Sequence, residues 1–186
     1  MIIPPRQPGF RIYTNKELWD EAEARNELHK DTPSLTPESN FLGLLCERRF
    51  SVRTGLPMDM TRRPYGDGGI DFRYPTIHGT YPLDCKGARH AKNLLVSKKQ
   101  MEQIGQHRWL FVLGQLLNGH LDTMKWDMIL VGWQWDTIVR RSIPKTFGDS
   151  GIQNYWVPSE IDEKHGLRPM EELFDLQRID EPEEMG

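Results

Sequence analysis

The chain has 186 residues, with 37% hydrophobic residues, 27% charged residues and six tryptophans. This length suits one compact domain, and the composition excludes a disordered chain. No apolar run approaches the roughly 20 residues needed to cross a bilayer, and the first six residues lack the apolar stretch of a signal peptide, so the sequence predicts a soluble, cytoplasmic protein with no membrane contact.

The two cysteines, Cys46 and Cys85, form no C-x-x-C pair, so neither a disulfide framework nor a zinc site is indicated. The net charge of −3 is unevenly distributed. Residues 48–108 carry twelve Lys and Arg against five Asp and Glu, a local excess of +7, which leaves −10 for the rest of the chain. A basic central segment could contact phosphates, and the acidic end after Pro158 is expected to be a solvated terminus.

Two helices are predicted in the first third of the chain. Thr14-Asn15-Lys16-Glu17 has the spacing of a capping box and begins a helix that runs to about Lys30. Thr36-Pro37-Glu38 begins a second helix that runs to about Phe50. Phe41, Leu44 and Leu45 form its apolar face, and Glu47 lies on the flank of that face.

Strands dominate the middle of the chain. Ile70 to Tyr74 and Thr80 to Lys86 read as a β-hairpin with a five-residue connection, and Asn93 to Val96 as a short third strand. Ser97 to about His107 reads as a short polar helix. Two apolar runs, Trp109 to Gly114 and Trp126 to Gly132, are predicted to be strands covered on both faces and joined by a turn at Asn118-Gly119. A short helix at 136–141 and a strand at 154–157 follow.

Acidic residues gather on this hairpin. Asp84 and Lys86 alternate with Leu83 and Cys85, so both charged groups project from one face of their strand, and Asp71 can join them from the partner strand. Oxygen ligands from Asp71, Asp84 and a helix carboxylate such as Glu47 would suit Mg²⁺ or Mn²⁺. An ion of that kind activates water, and Lys86 could stabilise the charge that develops on a phosphate.

The order of these residues resembles a known signature. Glu47 on a helix, Asp71 on a strand and Asp84-Cys85-Lys86 on the next strand resemble the PD-(D/E)XK motif of restriction-endonuclease-like nucleases, although Ile70 stands where the motif has proline. The resemblance spans about residues 38 to 157. It implies an α/β fold with a restriction-endonuclease-like core, in which a central mixed sheet of about five strands is flanked by helices.

The resemblance also implies a function. The single domain expected from the length, residues 1–186, would be a nuclease domain, and the resemblance does not account for its helical extension at 1–35 or its acidic tail at 158–186. Glu47, Asp71 and Asp84 would hold the metal, and Lys86 would assist metal-dependent hydrolysis of phosphodiester bonds. DNA is the expected substrate, RNA and a homodimer remain open, and the small size would suit a phage or mobile-element enzyme working in the host cytoplasm.

Further residues are candidates for supporting roles. Gln100 and Gln103 are equally placed as a polar assistant near the attacking water. Six cations are predicted to bind nucleic acid: Arg48, Arg62, Arg63, Arg89, Lys92 and Lys98. His90 and His107 are assigned no role. Four tryptophans are expected to be core or sheet-edge residues rather than base-stacking platforms: Trp109, Trp126, Trp133 and Trp156.

Each of these interpretations has an alternative. Asp84 and Lys86 could be an ordinary surface ion pair, Glu47 a solvated helix end, and the basic residues merely solvated. Asp67 is more typical of a turn than of a metal ligand. At the level of function, the alternatives are a catalytically inactive nucleic-acid-binding or scaffolding module of the same fold, and a small-molecule hydrolase with a deep pocket and no basic surface around Asp71 and Asp84.

Overall fold

The computed structural model describes residues 5–28, 36–62, 69–105, 108–117, 126–147, 151–162 and 164–177. Within these ranges the helices are α1 Asn15–Leu28, α2 Pro37–Thr54, α3 Lys98–Gln103, α4 Asp136–Val139 and α5 Met170–Asp175. The strands are β1 Phe72–Thr76, β2 Gly79–Ala88, β3 Asn93–Ser97, β4 Leu110–Leu117, β5 Asp127–Trp135, β6 Lys145–Thr146 and β7 Gln153–Pro158.

Both predicted helix starts are confirmed by their caps. The Glu17 carboxylate accepts a hydrogen bond from the Thr14 amide (2.8 Å), and the Thr14 hydroxyl accepts one from the Glu17 amide (3.2 Å). Thr36 caps α2 in the same reciprocal way with Ser39. The second helix continues past the predicted end at Phe50 to Thr54, where Gly55 adopts a left-handed conformation (φ 73°) and stops it.

The main sheet is mixed, as predicted, and within the described residues it has four strands rather than about five. Its order is β1-β2-β4-β5, with β2 and β4 parallel and the other neighbours antiparallel. The hairpin is confirmed, although Ile77 and His78 alone separate its strands, which makes the connection shorter than predicted. The turn at Asn118-Gly119 lies outside the described residues.

Two of the predicted strands, at 93–96 and 154–157, belong to a second sheet. β3 and β7 pair with each other and, through β6, form a three-stranded sheet of order β3-β7-β6. Leu94, Val96 and Val157 pack in one core with Phe111 and Leu113 of β4. The predicted third strand therefore stabilises the main sheet through side-chain packing rather than by extending its hydrogen-bonded ladder.

Alternation along the central strands divides the apolar side chains between two cores. Leu83 and Cys85 of β2 pack with α2 in the first core, while Ala88 of the same strand packs against the second core. The first core also contains Leu18 and Ala22 of α1, so the predicted N-terminal extension is packed on the body of the protein. Trp109, Trp126 and Trp133 are buried, as predicted for core residues.

Two paired glycines allow α2 to cross the sheet closely. Gly87 of β2 and Gly114 of β4 are direct partners in the parallel ladder. A methyl group at Gly87 would overlap the backbone carbonyl of Leu42, and one at Gly114 would lie 2.7 Å from the Cys46 sulfur. The absence of side chains at this pair sets the height of α2 above β2, and with it the position of Glu47.

The folded part extends past Pro158, where the sequence analysis placed the start of an acidic tail. α5 buries Met170 and Leu173 in the first core, and the Tyr74 hydroxyl donates a hydrogen bond to the Leu173 carbonyl (2.9 Å). The acidic end at 179–184 lies outside the described residues. Among the helices of the described ranges, none is long and apolar enough to span a membrane.

Candidate active site

Asp71 stands just before β1, beside the strand that carries Asp84. Its backbone amide donates to the Leu83 carbonyl (2.9 Å), and its Oδ2 accepts the Cys85 amide at 2.6 Å. The β1–β2 ladder ends at the Phe72–Leu83 pair, so the carboxylate accepts a β2 amide beyond the end of that ladder. This contact fixes the position of Asp71 relative to β2.

Asp84 and Lys86 project from the same face of β2, as the alternation predicts. The Lys86 ammonium lies 2.6 Å from Asp84 Oδ2. Asp84 is only 3% exposed, whereas the Lys86 side chain keeps 31% of its surface exposed. An ordinary surface ion pair does not bury its carboxylate in this way, because removing a charge from water is costly. The lysine therefore compensates a buried negative charge from the solvent side.

Gln100 completes the surroundings of Asp84. Its side-chain Nε2 donates to Asp84 Oδ2 (2.7 Å), and it is held near the start of α3 by the Ser97 cap, whose hydroxyl accepts the Gln100 amide. A Cβ at Gly69 would lie 2.5 Å from the same Nε2, so the glycine leaves room for the amide. Gln103 is exposed at the end of α3. The structure thus distinguishes two glutamines that the sequence left equal.

Glu47 approaches from α2. It is 6% exposed, so it is not a solvated helix end, and its negative charge acts on Asp71. The helix brings Glu47 to this position because its backbone at Leu42, which precedes Glu47 on α2, packs directly against Gly87 of β2. The three predicted metal ligands are therefore brought into one electrostatic neighbourhood from three elements of the chain.

Burial raises the pKa of Asp71 well above its usual value, and the negative charges of Glu47 and Asp84 raise it further. The hydrogen bond from the Cys85 amide and the Lys86 ammonium oppose the rise without cancelling it. For Lys86, burial favours the neutral amine, but the charge and hydrogen bond of Asp84 outweigh burial and raise the lysine pKa. The charged form of Asp71 is therefore disfavoured in this site, even with the Lys86 ammonium close by.

The donor chemistry fits a hard divalent cation, but the carboxylates do not form a finished coordination cage. The described part of the chain contains no group of three or more His, Cys, Asp and Glu side chains arranged to hold a metal ion. One oxygen of Asp84 is already bound by both Lys86 and Gln100. Three carboxylates without a thiolate or imidazole are nonetheless the ligand type that Mg²⁺ and Mn²⁺ prefer.

Several of the predicted nucleic-acid-binding cations are bound within the protein. The half-buried Arg48 guanidinium donates to the carbonyls of Tyr13 and Trp126 and to the Asn15 side chain, and burial lowers its pKa. We therefore leave Arg48 out of the candidate interface and assign it to the packing of α2.

The remaining predicted cations lie in different settings. Arg62 pairs with the buried Glu21 (2.9 Å), and Arg89 pairs with Glu38. Lys92 and Lys98 are exposed. Arg63, together with Asp67 and His107, lies outside the described residues.

Two surface clefts flank the segment that leads into β1. The first, of about 410 Å³, is lined by Asp59 and Asp71 together with Ile70 and Arg73. The second, of about 630 Å³, shares Ile70 and Arg73 and adds Arg108. Sequence reasoning missed Arg73 and Arg108. Arg73 could have been found, because it follows Asp71 by two positions and strand alternation places both on one face.

No family model, no curated protein and no solved structure matches this chain. The arrangement of Glu47, Asp71, Asp84, Lys86 and Gln100 around the start of the β1–β2 hairpin is therefore the observation from which a function must be argued.

Proposed function

We propose that this protein is a metal-dependent nuclease of the PD-(D/E)XK type, with DNA as the expected substrate. The observation that carries the proposal is the buried Asp84 carboxylate, contacted by the Lys86 ammonium (2.6 Å) and the Gln100 amide (2.7 Å) beside Asp71 and Glu47. Buried like charges destabilise a fold, and their retention in one place is typical of functional sites.

The mechanism assigns each group a task. Glu47, Asp71 and Asp84 would hold Mg²⁺ or Mn²⁺, which when bound lowers the pKa of water and neutralises charge on the scissile phosphate. Lys86 would donate hydrogen bonds to the phosphate oxygens as negative charge develops there. Gln100 would orient Asp84, and the Cys85 amide holds the Asp71 carboxylate in place.

A second candidate is the inactive nucleic-acid-binding module. The Lys86–Asp84 ion pair favours it, because the lysine takes an oxygen that a metal ion would need. The small-molecule hydrolase predicts no basic surface around the acidic residues. Arg73 and Arg108 line a cleft next to that of Asp71, which argues against it.

The test is cleavage of labelled linear, branched, circular and single-stranded DNA and of RNA, with Mg²⁺, Mn²⁺ or EDTA. Wild type is compared with Asp84→Asn, which is nearly the same size and loses the charge. Metal-dependent cutting that the variant lacks would support the nuclease. Binding without cutting under every condition would support the inactive module, and neither binding nor cutting would refute both.

A further inference from the structure

The second cleft, next to the candidate active site, has the charge of an anion-binding site. Arg73 and Arg108 line it, and none of the described residues that line it is Asp or Glu. Neither guanidinium has an ion pair or hydrogen bond within the described residues, in contrast to Arg62 and Arg89. Two arginines without an ion pair among the described residues, on one concave surface, favour a phosphate, which the guanidinium binds through paired hydrogen bonds.

The position of this cleft matches the geometry of a nucleic-acid strand. Arg73 lies two residues after Asp71, a separation of about 6.6 Å along an extended chain. This is comparable to the distance between neighbouring phosphates of one strand. Because Arg73 lines both clefts, a strand with its scissile phosphate at Asp71 can place the adjacent phosphate within reach of the Arg73 side chain.

The rest of the cleft is suited to a nucleobase. Ile70, Tyr81 and Pro82 contribute apolar surface, and Thr80 lines the cleft from the hairpin. A volume of about 630 Å³ is within the range of small-molecule sites, which runs from roughly 300 to 1,000 Å³. Bases in a duplex are stacked and paired, so an unpaired base enters such a cleft without the unpairing and unstacking cost that a duplex base carries.

We infer that the cleft of Arg73 and Arg108 binds an unpaired nucleotide adjacent to the scissile phosphate. The two guanidiniums bind its phosphate, and the apolar surface of Ile70, Tyr81 and Pro82 contacts its base. The inference rests on the proposed function and makes it more specific, because it assigns the enzyme to single strands or to junctions with unpaired nucleotides.

Binding can be measured apart from cutting in Asp84→Asn protein with EDTA, by fluorescence anisotropy of a labelled 12-nucleotide strand and its duplex. Arg73→Gln and Arg108→Gln should each weaken single-strand binding about tenfold and reduce the slope of log affinity against log salt by about 0.7. Arg141→Gln is the matched control, since Arg141 is exposed and lines neither cleft. It should change affinity less than twofold.

Thr80→Trp tests the cavity separately from the charge. Thr80 is exposed on the hairpin, where tryptophan is readily accommodated, and the larger side chain would fill the cleft. Single-strand affinity should fall about tenfold with an unchanged salt slope, and duplex affinity should stay constant.

The outcomes separate this inference from the proposed function. If wild type cuts nucleic acid but Arg73→Gln and Arg108→Gln behave like Arg141→Gln, or the parent binds duplex more tightly than single strand, the inference is wrong and the nuclease stands. If Thr80→Trp binds single strands normally, the base does not enter the cleft. If wild type cuts nothing and Asp84→Asn binds nothing, the proposed function fails and the inference with it.

Discussion

The Asp71 carboxylate accepts the Cys85 backbone amide at 2.6 Å, and so a side chain of one hairpin strand is anchored to the main chain of the other. The anchored group is an acid whose charged form is disfavoured by burial and by Glu47 and Asp84. The same carboxylate therefore makes a structural hydrogen bond and carries an unfavourable charge. A mutation can remove the charge and keep the hydrogen bond.

Asp71→Asn should keep the hydrogen bond, because the amide oxygen can accept the Cys85 N–H. It should remove the repulsion between the Asp71 charge and the charges of Glu47 and Asp84. The raised pKa means that the folded state binds the Asp71 proton more tightly than the unfolded state. The resulting stability is present below the unfolded pKa and is lost as pH rises through the folded pKa. Glu47 and Asp84 raise the pKa of Asp71, and the hydrogen bond from the Cys85 amide and the charge of Lys86 lower it.

Urea unfolding of wild type and Asp71→Asn from pH 3 to pH 8 checks this expectation. The variant should gain stability relative to wild type as pH rises, while its cleavage falls about 100-fold or more. A constant stability difference across the range would contradict the pKa shift of Asp71.

Lys86→Ala should slow cleavage and tighten metal binding at once. The ammonium stabilises charge in the transition state, and its loss should lower kcat about 100- to 1,000-fold. The same ammonium lies 2.6 Å from Asp84 Oδ2, so its loss leaves the Gln100 amide as the remaining contact of that oxygen and makes the oxygen more available to a metal ion. Mg²⁺ affinity should rise about tenfold, measured as the Mg²⁺-dependent increase in Tm. Cleavage at the wild-type rate would exclude Lys86 from the reaction.

Gln100→Ala and Gln103→Ala form a matched pair on one short helix. Gln100 donates to Asp84, whereas Gln103 is exposed. Hydrogen bonds to charged groups contribute about 1.5–3 kcal/mol, so Gln100→Ala should lower kcat/KM at least about tenfold. Gln103→Ala should stay within about twofold of wild type. Equal losses in both variants would show that the effect comes from α3 as a whole.

Gly87→Ala should destabilise the protein by about 3 kcal/mol or more, since the added methyl group meets the rigid Leu42 carbonyl rather than a flexible side chain. Gly43→Ala is the control. It lies on α2 with no atom within 4 Å of the added Cβ, and alanine should stabilise the helix by about 0.5–1 kcal/mol. Chemical denaturation measures both, and a neutral Gly87→Ala would show that α2 can lift away from β2.

Local patterns predicted most of the secondary structure. The capping spacing at Thr14 and Thr36 and the alternation at Leu83 to Lys86 are properties of neighbouring residues, and both are confirmed. The placement of β3 was not predictable in this way. Its apolar residues fit either the edge of a sheet or a second layer, and the choice depends on β7, about 60 residues later.

The same reasoning explains the outcome at the candidate site. Glu47 could be placed on the flank of its helix, but its burial depends on the distance between α2 and β2 set by Gly87 and Gly114. The contacts of Arg48 could not be predicted, because the oxygens that bind its guanidinium come from the loop before α1, from α1 and from Trp126. Long-range partners of that kind leave no signal in the neighbouring sequence.

The parallel pairing of β2 with β4 also affects the order in which the protein folds during its synthesis. Parallel neighbours cannot be joined by a tight turn, so β3 and α3 lie between them in the chain, and α3 brings Gln100 to Asp84. On the ribosome the hairpin bearing Asp71 and Asp84 emerges well before β4. We expect the chain to have no activity until β4 has left the ribosome. Only then can β4 pair with β2 and position the connecting segment of β3 and α3.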